Sequence, residues 1–353
     1  MKVSIVIPYY NDRDFLPQAI ESVLNQSFED FELILVNHAT TDDCREIAHS
    51  YKDPRIVHLD MEKNYGAGTG LVLRRVLEFA KGEYMKLFCA DDILYKHGLK
   101  TLVEYMESHP DKDFAFGGVD YIDKEGKYVK PFIFKKTNFC DGKQDEIDSL
   151  RAFFHGYGFL PYIGNIIKMN ALKNVEVDVS FIAQFDMHLW LTLLVKNYKI
   201  GFLDNSVAGW RIHADQMSGI KNLKKMNRCR DIEHIKYIEP FFQIKDAGLL
   251  KKIFPNNLFL KKLKNPNEQD INFIISYEMF NSLSDGICYR GYFNLYDMLH
   301  DTNTRNYLEE KFHFGIKEFR EIYLADKPKK TNSRNIIAAI FKLIKFYIII
   351  RTC

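Results

Sequence analysis

Two adjacent aspartates, Asp91 and Asp92, directly follow the apolar stretch "LFCA" that begins at Leu87. Carboxylate oxygens are ligands that Mg²⁺ and Mn²⁺ prefer, and a bound divalent cation can hold a diphosphate. Aspartate is also common where a strand gives way to a turn, so the pair alone predicts either a metal site or the polar end of a strand. The choice depends on which other groups the fold brings to the same place.

Polar residues follow three other short apolar stretches in the same way. Tyr10 and Asn11 come after the first, Asn37 opens a polar cluster after the second, and Asn64 with Gly66 follows the third. The ring of Tyr10 offers a face on which a nucleobase can stack, and the amide of Asn37 can pair with the edge of a base. Together with a metal and a diphosphate, these groups describe a nucleotide ligand. The alternative is that polar residues simply end the strands.

The elements that must position these groups alternate between strand and helix. The apolar runs "VSIVIPYY", "FELILV", "RIVHLD" and "YMKLF" predict buried strands, and helices are predicted between them in "RDFLPQAIESVLNQS", "CREIAHSYK" and "LVLRRVLEFAKG". Gly82 is predicted to stop the third helix. This alternation predicts parallel βαβ units, and such sheets bind ligands at the carboxyl ends of their strands. The sequence therefore predicts an α/β fold with a mostly parallel central sheet and one polar crevice.

Composition narrows the class of protein. The 353 residues are enough for one large core or two smaller ones, and a formal net charge of +2 gives no general reason to expect nucleic acid as a partner. The six cysteines are scattered, without the short paired spacing of zinc or redox sites, which predicts reduced thiols in a cytosolic protein. The apolar run after Met1 is too short for a signal peptide, so export is not expected.

The segments "VSIVIPYYND", "FELILVNHATTDD", "KNYGAG" and "KGEYMKLFCADD", in this order and at these separations, resemble the nucleotide-sugar-binding half of a family 2 glycosyltransferase with the GT-A (Rossmann-like) fold. The resemblance covers about residues 1–215. It implies that Tyr10 stacks on the base, Asn37 meets its edge, Asp91 meets the ribose or the metal, and Asp92 is the main metal ligand. The nucleotide contacts that it implies in full are Pro8, Tyr10, Asn11, Asn37, Asn64, Gly66, Asp91 and Arg211.

This chain departs from the family pattern in the segments expected to bind the base and the metal. Members of the family usually have the sequence "VDDGSTD" at the end of their second strand, where this chain has "VNHATTD". Asn37 and His38 therefore replace two acids, and Ala39 replaces a glycine. An amide at Asn37 can accept the proton of a uracil ring nitrogen or, after a flip, donate one, so the base preference stays open. Cys89 stands where the first acid of the metal motif is often found.

Catalysis is expected from the second half of the resemblance. The segment "FDMHLWLTLL" resembles the family's "EDYDLWLRL" helix, which implies that Asp186 is the general base that takes the proton of the acceptor hydroxyl. An aspartate near a helix start can instead only cap the helix. His188 on the same helix is either structural or a neighbour of the site. The segment "GWRIH" resembles the family's "YRIH", which implies that His213 binds metal beside the aspartate pair, while Arg211 can clamp phosphate.

The remaining segments bear on the acceptor and the membrane. The segment "GYGFLPYIGNIIKMNAL", from Gly156, is where the family places part of its acceptor pocket. Flat aromatic faces suit sugar rings, but the aromatic residues in and just before it, which are Phe153, Phe154, Tyr157 and Phe159, can equally be core. The segments "KNLKKMNRCRDIEHIKYIEPFF" and "GLLKKIFPNNLFLKKLKN" fit amphipathic helices on an anionic membrane or solvated basic faces of a helical bundle. The tail "NIIAAIFKLIKFYIIIRTC" is too charged to span a membrane and is predicted to lie in its plane, or else in an oligomer interface.

The resemblance implies a GT-A domain over residues 1–218, with halves 1–115 for the nucleotide-sugar and 116–218 for the acceptor. The residue patterns beyond it predict a helical region 219–330 and a membrane-associating tail 331–353. The expected enzyme is an inverting glycosyltransferase that uses Mn²⁺ or Mg²⁺ and a UDP-sugar, and acts on a cell-surface glycan or lipid-linked acceptor at the inner face of the cytoplasmic membrane. Two alternatives stay open, a degenerate scaffold subunit and a sugar nucleotidyltransferase. The second would carry a Gly-rich basic loop, which "PYYNDRDF" lacks.

Overall fold

The computed structural model describes residues 1–66, 70–132, 145–156, 160–214, 216 and 223–324. The chain divides between Leu295 and Tyr296 into two compact units. The predicted tail 331–353 and residues 157–159 of the predicted acceptor segment lie outside the described residues. The predicted boundaries after residues 115, 218 and 330 stay predictions.

Nine β-strands of the described residues form one mixed sheet. They are β1 (Val3–Tyr9), β2 (Phe31–Asn37), β3 (Ile56–Asp60), β4 (Tyr84–Leu87), β5 (Ile93–Leu94), β6 (Phe114–Ile122), β7 (Tyr128–Pro131), β8 (Asn165–Lys168) and β9 (Ile200–Arg211). Their order in the sheet is β3-β2-β1-β4-β8-β6-β9-β5, and β7 pairs with β6.

The sheet changes character after its fourth strand in the spatial order. β1 pairs in parallel with β2 and β4, and β2 pairs in parallel with β3, as the alternation of strand and helix predicts. Beyond β4 the pairs are antiparallel, except that β6 and β9 run parallel. The predicted α/β class is confirmed, and the consecutive parallel pairs are those of β1 to β4. All residues of β2 are buried, because helices cover both faces of such a sheet.

Fourteen α-helices lie in the described residues, and no described strand follows β9. They are α1 (Leu16–Leu24), α2 (Cys44–Ser50), α3 (Gly70–Val76), α4 (Gly98–Ser108), α5 (Glu146–Phe154), α6 (Met169–Lys173), α7 (Phe185–Val195), α8 (Leu223–Tyr237), α9 (Ala247–Ile253), α10 (Leu258–Lys262), α11 (Glu268–Met279), α12 (Asp285–His300), α13 (Thr302–Phe312) and α14 (Ile316–Leu324). Two short 3₁₀ helices cover Tyr162–Gly164 and Glu239–Gln243. Among the described residues, no helix has the length and apolar character needed to cross a bilayer.

Gly82 fixes the start of β4 against β1. A Cβ atom at this position would clash with the main-chain nitrogen of Ser4, which would lie only 2.4 Å away, so only glycine fits here. The Gly82 N–H donates to Ser4 Oγ at 2.8 Å. The prediction that Gly82 stops the third helix is wrong, because α3 ends at Val76 and the glycine is required by a close approach of two strands.

Two buried polar side chains hold the carboxyl end of β4. The side-chain amide of Asn165 accepts from Leu87 N at 3.1 Å and donates to Leu87 O at 2.9 Å. It thereby makes the two hydrogen bonds that the main chain of a neighbouring strand would make with the last residue of β4. Lys86 is fully buried and its ammonium donates to the carbonyl of Ile163. Burial lowers the pKa of Lys86 to about 7. These contacts fix the point at which the chain leaves the sheet towards the aspartate pair.

Candidate active site

The ends of β1 and β2 place two aromatic residues next to each other. Tyr9 is in register with Asn37, and His38 N donates to Tyr9 O at 3.0 Å. Tyr10 and His38 are therefore the next residues along adjacent parallel strands. The side chain of Tyr10 is 39% exposed, which leaves a ring face available to a ligand. Pro8 precedes these residues inside β1 and is half-buried.

The loop after β2 is held in a strained turn by Asn11. Asn11 itself has φ 56°, and its Oδ1 accepts from Thr41 N and from Thr40 Oγ1, both at 2.9 Å. Ala39, which stands where the resembling family has glycine, keeps a left-handed φ of 55°. This conformation costs a residue with a Cβ roughly 1–2 kcal/mol. The loop therefore keeps the glycine-type turn although the glycine is missing.

The amide of Asn37 is engaged inside the protein at both ends. Its Nδ2 donates to Asp60 Oδ1 and its Oδ1 accepts from Thr40 N, each at 2.9 Å. The side chain is buried. Asn64 lies in the following loop, where its Oδ1 accepts from Gly66 N at 2.7 Å, and Gly66 adopts φ 95°. Asn64 and Gly66 thus form a tight turn that a residue with a Cβ could adopt only with strain.

The aspartate pair after β4 is divided between a buried and an accessible carboxylate. Asp92 is 2% exposed, and its Oδ1 accepts from Arg211 N at 2.8 Å. Burial and then the charge of Asp91 raise the pKa of Asp92 well above its usual value. Asp91 Oδ2 lies 3.1 Å from Nε2 of His213. One ligand atom each from Cys89, Asp91 and Asp92 lie within 4.8 Å of one another.

Asp12 is a third carboxylate of this site that sequence analysis did not single out. Its Oδ2 accepts from Tyr10 N at 3.0 Å. The pKa of Asp12 is raised to about 6, mainly by burial; the hydrogen bond from Tyr10 N opposes this rise and the charge of Asp91 adds to it. The ring of His213 packs against Phe15, with ring centres 4.6 Å apart. The sequence feature that could have indicated Asp12 as a site residue is its position two residues after Tyr10.

Arg211 connects four parts of the chain behind the aspartate pair. Its guanidinium donates to the main-chain carbonyl of Asp91 at 2.6 Å, to Gln18 Oε1 at 2.8 Å and to the carbonyl of Asp123 at 3.3 Å. The side chain is fully buried and lies over the ring of Phe15 at 5.0 Å. The N–H groups of the guanidinium thus bind other residues of the protein, and these hydrogen bonds position the loop that carries Asp91.

Asp186 lies in the first turn of α7, as the resemblance implies. Its Oδ1 accepts from Met187 N at 2.9 Å, and burial raises its pKa to about 6. Burial, followed by the charges of Asp92, Asp91 and Asp186, raises the pKa of the Cys89 thiol well above its usual value. The charge of Asp186 therefore reaches Cys89, and the Cys89 thiol is neutral.

Glu233 of α8 holds the segment that leads into α7. Its carboxylate accepts from Ile182 N at 2.6 Å and from Ala183 N at 2.9 Å. These contacts fix the approach to the first turn of α7, where Asp186 lies. The sequence placed Glu233 only in a basic helical segment, so this contact had no signal in the residue pattern.

Comparison with known proteins identifies the family. The model of the family described as glycosyl transferase family 2 matches residues 4–161. TuaG of Bacillus subtilis, a glycosyltransferase assigned to teichuronic acid biosynthesis, is 33% identical over 225 residues, which cover 62% of this chain and 82% of TuaG. The chain belongs to glycosyl transferase family 2. The predicted resemblance and the predicted enzyme class are thereby confirmed.

This glycosyltransferase is also similar to a second bacterial relative and to a solved structure. The Escherichia coli protein named UDP-Glc:alpha-D-GlcNAc-diphosphoundecaprenol beta-1,3-glucosyltransferase is 27% identical over 225 residues, covering 62% of this chain and 80% of that protein. The crystal structure of S. aureus TarS in complex with UDP-GlcNAc aligns with a TM-score of 0.50 over 91% of this chain and 90% of that one, at 18% identity. The structural similarity supports the fold assigned to this glycosyltransferase.

The structure of this glycosyltransferase also shows the surroundings of His188 and of one aromatic residue near the predicted acceptor segment. The ring of His188 stacks on Phe181 with centres 4.5 Å apart, and burial lowers its pKa to about 4, so this histidine is neutral and packed. Phe154 is fully buried and contacts Phe241 and Phe254. Phe154 therefore belongs to the core, while Tyr157 and Phe159 lie outside the described residues.

Proposed function

We propose that this glycosyltransferase is an inverting, metal-dependent enzyme that moves a sugar from a UDP-linked donor to a hydroxyl of a lipid-linked or cell-surface glycan. The observation that carries the proposal is the 3.1 Å approach of Asp91 Oδ2 and His213 Nε2 beside the buried Asp92. A carboxylate and an imidazole from distant parts of the chain meet at the carboxyl end of a parallel strand, where such sheets bind nucleotides.

The donor set fits a divalent cation such as Mn²⁺ or Mg²⁺. Carboxylate oxygens suit both ions, and an imidazole nitrogen suits Mn²⁺ better. Asp91 and His213 are assigned as the principal ligands. Asp92 contributes less directly than the resemblance implies, since its carboxylate accepts from Arg211 N and from the Cys89 thiol. When bound, such a cation neutralises charge on a leaving diphosphate.

Asp186 is assigned as the general base. Inverting transfer needs a carboxylate that accepts the proton of the acceptor hydroxyl while the oxygen attacks the anomeric carbon. Its raised pKa of about 6 leaves the carboxylate mostly ionised at pH 7, yet more basic than an ordinary aspartate. Glu233 positions the segment before α7, and Arg211 positions the loop of Asp91, so neither needs to touch substrate.

The names of two relatives support the donor and acceptor classes. The name of the Escherichia coli relative includes the donor UDP-Glc and a diphosphoundecaprenol-linked acceptor. A Campylobacter jejuni relative, 28% identical over 193 residues, is named for a PP-undecaprenol acceptor. These names support a UDP-sugar and a lipid-linked acceptor for this chain. A lipid-linked acceptor in turn requires the enzyme to work at a membrane surface.

A basic hairpin of helices α9 and α10 is the assigned contact with that surface. Residues 247–267 contain five lysines and neither Asp nor Glu. The lysines of both helices lie in their last turns, and Leu258 at the start of α10 is 68% exposed. Exposed lysines around an apolar side chain suit an anionic bilayer, where the ammonium groups meet the head groups. The tail 331–353 adds further basic and apolar residues.

Calorimetry with nucleoside diphosphates, with and without Mn²⁺, tests the proposal on the wild type, on Asp91→Ala and on the surface control Asp204→Ala. UDP binding that requires metal in the wild type and in the control, and that is lost in Asp91→Ala, is expected. Transfer to a lipid-linked acceptor under the same conditions separates an enzyme from a degenerate scaffold. Metal-independent binding would remove the assigned metal role, and binding without transfer to any acceptor would favour the scaffold.

A further inference from the structure

We propose that His38, and not the amide of Asn37, contacts the edge of the nucleobase, and that it does so as a hydrogen-bond donor through its Nδ1–H. This inference rests on the proposed nucleotide-sugar donor and names the residue that sets its base preference. It follows from the placement of His38, from the engagement of Asn37, and from the partner of the His38 ring.

His38 lies beside the surface on which a base would stack. Tyr9 and Asn37 are paired in adjacent parallel strands, so Tyr10 and His38 are neighbours immediately beyond the pairing. The main chains stay joined there, since His38 N donates to Tyr9 O. A base that rests on the exposed ring of Tyr10 therefore has His38 at its side.

Both ends of the Asn37 amide already have a protein partner. Its amide nitrogen donates to Asp60 and its amide oxygen accepts from Thr40 N, both at 2.9 Å. The Asp60 carboxylate is in turn paired with Arg45 at 2.9 Å. The two hydrogen bonds fix the orientation of the Asn37 amide and leave it one N–H and one lone pair at most. The Nδ1–H of His38, in contrast, has no protein partner among the described residues.

The ring of His38 is fixed in one tautomer by a main-chain donor. Its Nε2 accepts from Tyr65 N at 3.2 Å, so in the neutral imidazole the proton lies on Nδ1. Burial lowers the pKa of His38, which keeps the ring neutral near pH 7. No residue in the described parts of the chain accepts from Nδ1. The ring also lies nearly parallel to that of Tyr65, at an angle of 20°.

A donor at this position selects a different base edge from a carboxylate. A carboxylate accepts the N3–H of uracil and repels the N3 lone pair of cytosine. An N–H donor instead needs an acceptor, which uracil offers at its carbonyl oxygens and cytosine at its carbonyl oxygen and N3. His38 thus predicts a site that accepts both pyrimidines, whereas an acid at the same position would favour uracil.

The test is calorimetric binding of UDP and CDP with Mn²⁺ to the full chain, its His38→Asp variant and its His38→Gln variant. The wild type should bind UDP and CDP with affinities within about threefold of each other. His38→Asp should favour UDP by about tenfold or more, the effect of one gained and one lost hydrogen bond. Because glutamine offers both a donor and an acceptor, His38→Gln should stay close to the wild-type ratio.

The outcomes separate this inference from the function on which it rests. A wild type that prefers UDP by more than tenfold, or a ratio that His38→Asp leaves unchanged, overturns the role of His38 while UDP binding supports the nucleotide site. If neither nucleotide binds the wild type, the proposed donor fails and the inference fails with it. If His38→Asp does not fold, the wild-type ratio and the His38→Gln ratio still decide the question.

Discussion

Nε2 of His213 lies 3.1 Å from Oδ2 of Asp91, although 122 residues separate the two in the chain. Asp91 follows β4 in the parallel half of the sheet, and His213 follows β9 in the mixed half. The two halves of the sheet therefore each supply one member of the assigned metal site. This relationship leads directly to the first prediction.

Replacing His213 by alanine should lower transfer by a factor of about 100 or more, because a metal that neutralises leaving-group charge stabilises the transition state by several kcal/mol. The Mn²⁺ concentration required for half-maximal activity should rise as well. His109→Ala is the matched control, since His109 is an exposed histidine at the end of α4. Steady-state rates across a Mn²⁺ titration measure both effects, and an unchanged metal requirement would remove His213 from the site.

Replacing Asp186 by asparagine should lower the turnover by a factor of about 100 or more and leave UDP affinity within twofold, as expected when only a general base is lost. Asparagine keeps the size of the side chain and its contact with Met187 N. Asp204→Asn provides the exposed control. A variant with nearly full turnover would show that Asp186 only ends the helix.

The pH profile of turnover should fall on the acid side with an apparent pKa of about 6. Burial raises the pKa of Asp186 to this value, and the base works only when ionised, so activity is lost as the pH falls through 6. Asp12 has a similarly raised pKa and could produce the same limb. The profile of Asp12→Asn distinguishes the two, because the acid limb should persist in that variant. A limb near 4 would contradict the assignment.

Charge reversal in the basic hairpin should release the protein from anionic vesicles. Each lysine near such a surface contributes about 1 kcal/mol, so four reversals should weaken binding by at least about 100-fold. The variant carries glutamate at Lys251, Lys252, Lys261 and Lys262, and its matched control carries glutamate at Lys81, Lys96, Lys173 and Lys196. Sedimentation with phosphatidylcholine vesicles, with and without phosphatidylglycerol, measures the effect. Equal retention of both variants would assign the membrane contact elsewhere.

Lys86 should make the free energy of unfolding depend on pH above neutrality. Burial lowers its pKa from 10.5 to about 7, so between these values the unfolded chain binds a proton that the folded chain lacks. Stability should therefore rise with pH across this window, by up to about 1.4 kcal/mol per pH unit. The difference between wild type and Lys86→Met, measured by urea unfolding, isolates this contribution. Parallel curves for the two proteins would contradict it.

The strand ends of the parallel half were predictable because apolar runs end there in polar residues, and parallel strands bring such ends together. The proximity of Asp91 and His213 came from resemblance alone, since no local pattern links residues on β4 and β9. The engagement of Asn37 by Asp60 was not predictable, because it depends on the register of β2 against β3. The buried lysine gave no signal either, since Lys86 in a strand pattern looks like an exposed residue.

The contacts of Arg211 have a consequence for how this enzyme can be divided or recombined. Its guanidinium reaches α1, the loop of Asp91 and the turn after β6, and its main chain binds Asp92. A fragment that stops at residue 115 would retain β1 to β4 and lose the groups that brace the aspartate loop. Residues 1–115 therefore cannot be exchanged alone between relatives. A chimera must keep Arg211 and its contact residues from the same parent protein.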